Sequence, residues 1–116
     1  MVSKWLERGE LTISDEVIAV IAALTAQEID GVASFVSDIR DDFSRVVNKR
    51  GGKRGVFVET NEENETVLTM KVAVDYGVKI AEVCHNVQRA VKEEVEMMTG
   101  ISVKEVNVSV VQVKFE

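Results

Sequence analysis

Val56-Phe57-Val58-Glu59-Thr60, then Asn61-Glu62-Glu63-Asn64-Glu65, then Thr66-Val67-Leu68-Thr69-Met70-Lys71-Val72-Ala73-Val74-Asp75: these two β-rich runs around a polar turn decide the fold. In the second run Leu68, Met70, Val72 and Val74 fall on one face, and Thr69, Lys71 and Ala73 fall on the other. That period of two belongs to a strand with one buried side. Two such runs joined by a short polar turn predict an antiparallel hairpin.

Downstream, Ile80, Val83, Cys84, Val87, Val91, Val95 and Met98 recur at helical spacing, which predicts a long helix from about Val78 to Thr99. Gly100 is its stop, because glycine takes the left-handed turn that ends many helices. Val103 to Phe115 then reads as a strand. Its apolar phase runs Val106, Val108, Val110 and switches to Val111, Val113, Phe115. A bulge near Val110-Val111, or burial of both faces, accounts for the switch.

Upstream, Ile13-Ser14-Asp15-Glu16-Val17-Ile18 is a helix start. Ser14 is placed to cap, two acids sit in the first turn, and Ile13 and Ile18 have staple spacing. Val17, Ile18, Val20, Ile21, Leu24 and Ile29 predict its buried face, and Gly31 its end. Val32–Val36 is a weaker strand, Asp38–Asn48 a short amphipathic helix, and Asn48–Gly55 a loop. The expected fold is α+β, with a mixed sheet of three to four strands packed against two long amphipathic helices. The order is α-β-(α)-β-β-α-β, in a single domain over 9–116 after a short segment over 1–8. One core is expected to use up the apolar faces of both helices.

The 116 residues include 46% hydrophobic side chains, a single Cys, a single His and no Pro, with a net charge of −6. That composition fits one ordinary globular domain. The longest apolar run is Val17–Leu24, far short of the roughly 20 residues of a bilayer span. The first eight residues lack the apolar segment of a secretory leader. A lone Cys84 forms neither an intrachain disulfide nor a cysteine metal cluster. A cytoplasmic protein is therefore expected.

Catalysis needs a nucleophile, base or metal held in mutual reach. His85 lies off the apolar stripe and reads as an ordinary solvated side chain. Cys84 lies in the stripe, and the two point about 100° apart on the helix, which disfavours a thiolate–imidazolium pair. No catalytic residue, metal site or cofactor is expected. Gly52-Lys53-Arg54-Gly55 has the letters of a nucleic-acid-binding G-x-x-G loop but leads into a strand instead of a helix. RNA binding is accordingly the least favoured of the binding readings.

Two features remain. Arg45, Lys49, Arg50, Lys53 and Arg54 place five of the 14 basic residues within ten positions, with no acid among them. On an acidic chain this stretch is either a solvated loop or a docking site for an anionic surface or an acidic partner. Glu94 falls inside the apolar stripe of the second helix. It reads either as a side chain reaching past the rim of the sheet or as an oligomer contact awaiting a cation from another subunit.

Several stretches together resemble the alkaline shock protein family: Gly9–Ile18 with Glu28–Val32, Gly55–Val58, Val74-Asp75-Tyr76-Gly77-Val78-Lys79-Ile80 with Met98-Thr99-Gly100, and Val103–Val110. They span about residues 9–115, nearly the whole chain. The resemblance implies a non-enzymatic binding or scaffold protein of cell-envelope stress homeostasis. Such a protein would act by self-association as a homo-oligomer and by docking to a membrane-anchored protein partner at the inner face of the membrane. It also implies an alternative, a regulator of fatty-acid synthesis that binds an acetyl-CoA carboxylase subunit. The family brings no catalytic residues to carry over.

Overall fold

The computed structural model describes residues 2–33 and 55–115. In chain order the elements are β1 (Val2–Leu6), β2 (Gly9–Ile13), α1 (Asp15–Gln27), β3 (Val56–Thr60), β4 (Thr66–Asp75), α2 (Ile80–Thr99) and β5 (Val103–Lys114). The fold is α+β. The helix expected over 38–48 lies outside the described residues, as does the loop after it up to residue 54.

β3 and β4 form the expected antiparallel hairpin, with Val56 opposite Met70 and Thr60 opposite Thr66. Asn61 organises the turn, its Oδ1 accepting the N–H groups of Glu63 (2.9 Å) and Glu65 (2.8 Å). Asn64 takes a left-handed φ of 64° there, which an Asn side chain tolerates well. The chain then crosses over through α2 and returns as β5, parallel to β4, giving a mixed sheet in the order β3-β4-β5. A parallel neighbour requires such a crossover.

Leu68, Met70, Val72 and Val74 are buried along one face of β4, as their alternation requires. Both helices contribute to the same core, α1 beside β3 and α2 beside β5. From α2 that core takes Val83, Val87, Val91 and Val95. Burying each such side chain contributes roughly 1.5–3 kcal/mol. Gly100 ends α2 with φ 77°, its N–H donating to the Glu96 carbonyl. The helix is narrower in its buried face than expected, because Ile80 and Met98 at its two ends are exposed. In β5, Val110 stands opposite Val72 and Gln112 opposite Ala73, so Val111 is the extra residue of a bulge. The phase switch in the sequence is that bulge.

α1 departs more from expectation. Ser14 caps it as predicted, its Oγ accepting the Val17 N–H at 3.2 Å. Yet the buried face is Ile18, Ala19, Ala22, Ala23 and Ala26, while Val17 and Leu24 are half exposed. The alanines fill much of this face, with Ile18 fully buried and Ile21 and Ile29 packed against the core, while Val17 and Leu24 turn outward. The expectation that one core uses up both apolar faces is corrected at this point. The helix also ends earlier than Gly31, with Glu28 as its C-cap. Gly31 instead opens a short antiparallel contact with β4, where Asp75 N–H donates to the Gly31 carbonyl and Val32 bridges Val74. Val32 thus takes the sheet position expected of Val32–Val36, whose later residues lie outside the described set.

Two strands that the sequence did not reveal precede α1. β1 and β2 pair antiparallel around Glu7-Arg8, and Val2 is fully buried in the main core. Lys4 Nζ donates to the Gly100 carbonyl at 3.0 Å, and the Ser3 carbonyl accepts from Asn64 Nδ2 at 3.1 Å. The last turn of α2 has no basic residue of its own, so Lys4 brings a cation to the negative end of that helix.

Candidate interaction surface

A chain poor in aromatics normally hides those it has, since each carries a large apolar area. Here the core is aliphatic, and the aromatic side chains described are at the surface. Trp5 and Phe115 are each 77% exposed, Tyr76 71% and Phe57 38%. Three of them mark opposite ends of the sheet. Beyond the C-terminal ends of β4 and β5, Tyr76 and Phe115 stack with ring centroids 5.2 Å apart and planes 22° apart. Tyr76 N–H donates to the Lys114 carbonyl, which fixes this pair to the sheet. The rings border an open cleft of about 920 Å³, lined also by Ala33, Asp75, Gln112 and Val113. At the other end Trp5 borders a smaller cleft of about 300 Å³ between the β1–β2 hairpin and the end of α2.

The third feature runs along β5. On α2, Gln88, Lys92 and Glu96 lie four residues apart, each one position after a buried valine of the stripe. One position is 100° of rotation, which turns these side chains from the core towards the sheet edge. Gln88 Nε2 donates to the Val106 carbonyl at 3.0 Å, and Lys92 Nζ donates to the Val103 carbonyl at 2.8 Å. Glu96 Oε2 accepts the Val103 N–H at 2.8 Å. Lys92 and Glu96 also pair with each other at 2.8 Å. The Lys92 hydrogen bond, then that of the Val103 N–H, holds the Glu96 carboxyl below the ordinary glutamate range. These three side chains occupy backbone groups that an edge strand otherwise leaves open.

Of the residues singled out in the sequence, Arg45, Lys49, Arg50, Lys53 and Arg54 lie outside the described residues. Glu94 is half-buried on α2. His85 is exposed and lines a groove between α2 and β5 with Gln88, Arg89 and Lys92. Cys84 is partly buried, and burial pushes its thiol up, away from the thiolate that nucleophilic chemistry needs. Among the described residues no cluster of three His, Cys, Asp or Glu side chains is placed to hold a metal ion. Nor, among the described residues, is any helix long and apolar enough to cross a membrane. The edge clamp was missed in the sequence, where Lys92 and Glu96 read as general surface. The signal present was the repeated pair Val-polar at Val87-Gln88, Val91-Lys92 and Val95-Glu96.

Residues 4–115 match the model of the alkaline shock protein 23 family, described as having a cell envelope-related function. The protein YloU of Bacillus subtilis (strain 168) is 38% identical over 105 residues, covering 88% of this chain and 86% of that one. YqhY of the same organism is 35% identical, covering 93% of this chain and 79% of that one. A stress response regulator gls24 homolog of Streptococcus pyogenes serotype M3 is 31% identical, covering 92% of this chain and 60% of its own length. No solved structure matches the chain.

Proposed function

As the chain belongs to the alkaline shock protein 23 family, whose function is related to the cell envelope, we propose that it is a non-enzymatic binding protein of envelope stress homeostasis. It acts by associating with itself and by docking a membrane-anchored protein from the cytoplasmic side. The observation that carries this reading is the surface placement of Trp5, Tyr76 and Phe115 on a domain whose core needs none of them. Exposed aromatics on a rigid frame supply contact area at low entropic cost, and such residues anchor protein interfaces. The stress response regulator naming of the gls24 homolog agrees with an envelope stress setting. The basic stretch Arg45, Lys49, Arg50, Lys53 and Arg54 supplies the charge that steers the chain to an acidic partner surface.

The test is affinity isolation of the full chain from cells, with its bound proteins identified, beside sedimentation of the purified protein. A membrane-anchored protein is expected to co-isolate with wild type. Trp5→Ser or Tyr76→Ser is expected to lose it while remaining folded. A strict monomer at high concentration that retains no envelope protein would overturn the proposal.

A further inference from the structure

We infer that the second half of β5 is the surface on which two copies of this chain pair, edge to edge and antiparallel, about a two-fold axis at Ser109. The inference rests on the self-association proposed above and says where it occurs.

β5 has only one strand neighbour among the described residues, β4. Its first part is closed by the clamp of Gln88, Lys92 and Glu96, which reaches Val103 and Val106 and goes no further along the strand. Beyond the clamp the strand reads Asn107-Val108-Ser109-Val110-Val111-Gln112-Val113, with no charge and no proline. An edge of that length and composition is a template for another strand. The protection at one half makes the open half a defined stretch.

The occupant follows from reading β5 against itself. Val110 and Val111 count as one ladder position, because Val110 stands opposite Val72, Gln112 meets Ala73, and Val111 between them has no partner on β4. With that bulge counted as a single position, Ser109 is the midpoint between Glu105 and Lys114. An antiparallel second copy then sets Glu105 against Lys114, Val106 against Val113, Asn107 against Gln112, and Val108 against the Val110-Val111 bulge. Charge meets opposite charge, amide meets amide and valine meets valine, twice over by symmetry. The faces agree as well. Val106, Val108 and Val110 pack with the core, and Asn107 and Ser109 are exposed on the other side. So do the backbone directions. The Val106 carbonyl points to the open edge, where it meets Gln88, and the Lys114 carbonyl points back to Tyr76. By alternation Val106, Val108 and Val113 present their backbone groups outward, the Val106 carbonyl being already held by Gln88 so that only its N–H is left for a second copy, and Ser109 presents its groups to β4. The Ser109 pair is therefore a non-hydrogen-bonded pair, whose Cα atoms approach to about 4.5 Å. Without the bulge, an axis at Ser109 would set Glu105 against Val113 and Val106 against Gln112, and the pairing of like with like would be lost.

The test uses the full chain with Cys84→Ser. Adding Ser109→Cys is expected to give a covalent dimer on mild oxidation, since that spacing suits a disulfide. Asn107→Cys, which meets Gln112 and not itself, is expected to give little. Ser109→Lys and Ser109→Glu each set like charges face to face at the axis and are expected to weaken self-association by about tenfold or more in sedimentation. Mixing the two variants is expected to restore it as a heterodimer. Equal cross-linking at both cysteine positions, with Ser109→Lys sedimenting as wild type does, overturns the axis at Ser109 while leaving self-association standing. A wild type that stays monomeric throughout overturns both.

Discussion

At Gly31 two constraints meet on one residue. Its φ is 98°, a conformation that side chains rarely adopt, and a Cβ there would lie 2.6 Å from Val83 Cγ2. Val83 is buried and β-branched, so it has little rotamer freedom with which to yield. Gly31→Ala is therefore expected to destabilise the protein by about 2 kcal/mol or more, read from the urea midpoint. Thr66 shows the opposite case. It is fully buried at the start of β4, and its Oγ1 has no hydrogen-bond partner. A buried hydroxyl left unsatisfied costs more than it returns. Thr66→Val keeps the shape and removes the cost, and is expected to stabilise by about 1 kcal/mol with an unchanged urea m-value.

At the scale of elements, the clamp between α2 and β5 carries a pH dependence. The Glu96 carboxyl is held below its ordinary range by Lys92 and by the Val103 N–H. A carboxyl with a lowered folded-state pKa adds stability that is complete above the ordinary glutamate value. That stability is lost as pH falls through the lower folded value. The difference in urea midpoint between wild type and Glu96→Gln is thus expected to be widest near neutrality and to shrink through that acidic window. A difference independent of pH would show that the clamp works without the charge. The same elements show what a sequence reveals. The β3–β4 hairpin, the span of α2 and the bulge in β5 were legible because each is written as a periodicity or a break in one. β1 and β2 were not. Their turn, Glu7-Arg8, lacks the Asn-Gly or Asp-Gly pair that marks two-residue hairpins, and Trp5 and Leu6 face solvent. The face of α1 was legible at Ile18, Ile21 and Ile29 but not at Val17 and Leu24, because counting large aliphatics overlooks the alanines that fill the face. The clamp went unseen because its partners are backbone groups, and backbone groups leave no mark in a sequence.

For the molecule as a whole, stability and contact are carried by different residues. The core is built from Val, Ala, Leu, Ile and Met, and the exposed aromatics stand apart from it. Val91→Ala is expected to cost about 2 kcal/mol through lost burial and a residual cavity. Trp5→Ser and Tyr76→Ser are expected to change the urea midpoint little, by about 0.5 kcal/mol or less for surface positions. A large loss in either aromatic variant would mean that these rings belong to the fold and not to an interface. The crossover has one more consequence, and it concerns time. β4 is the central strand, yet its parallel neighbour β5 is synthesised only after α2, roughly 30 residues later and so some seconds later at ordinary translation rates. Until β5 arrives the β3–β4 hairpin has a valine-rich edge bare and nothing of its own to pair with. The chain is thus most open to a wrong strand just before β5 docks, and a chain cut after Thr99 is expected to aggregate through the bare edge of β4 where the full chain stays dispersed.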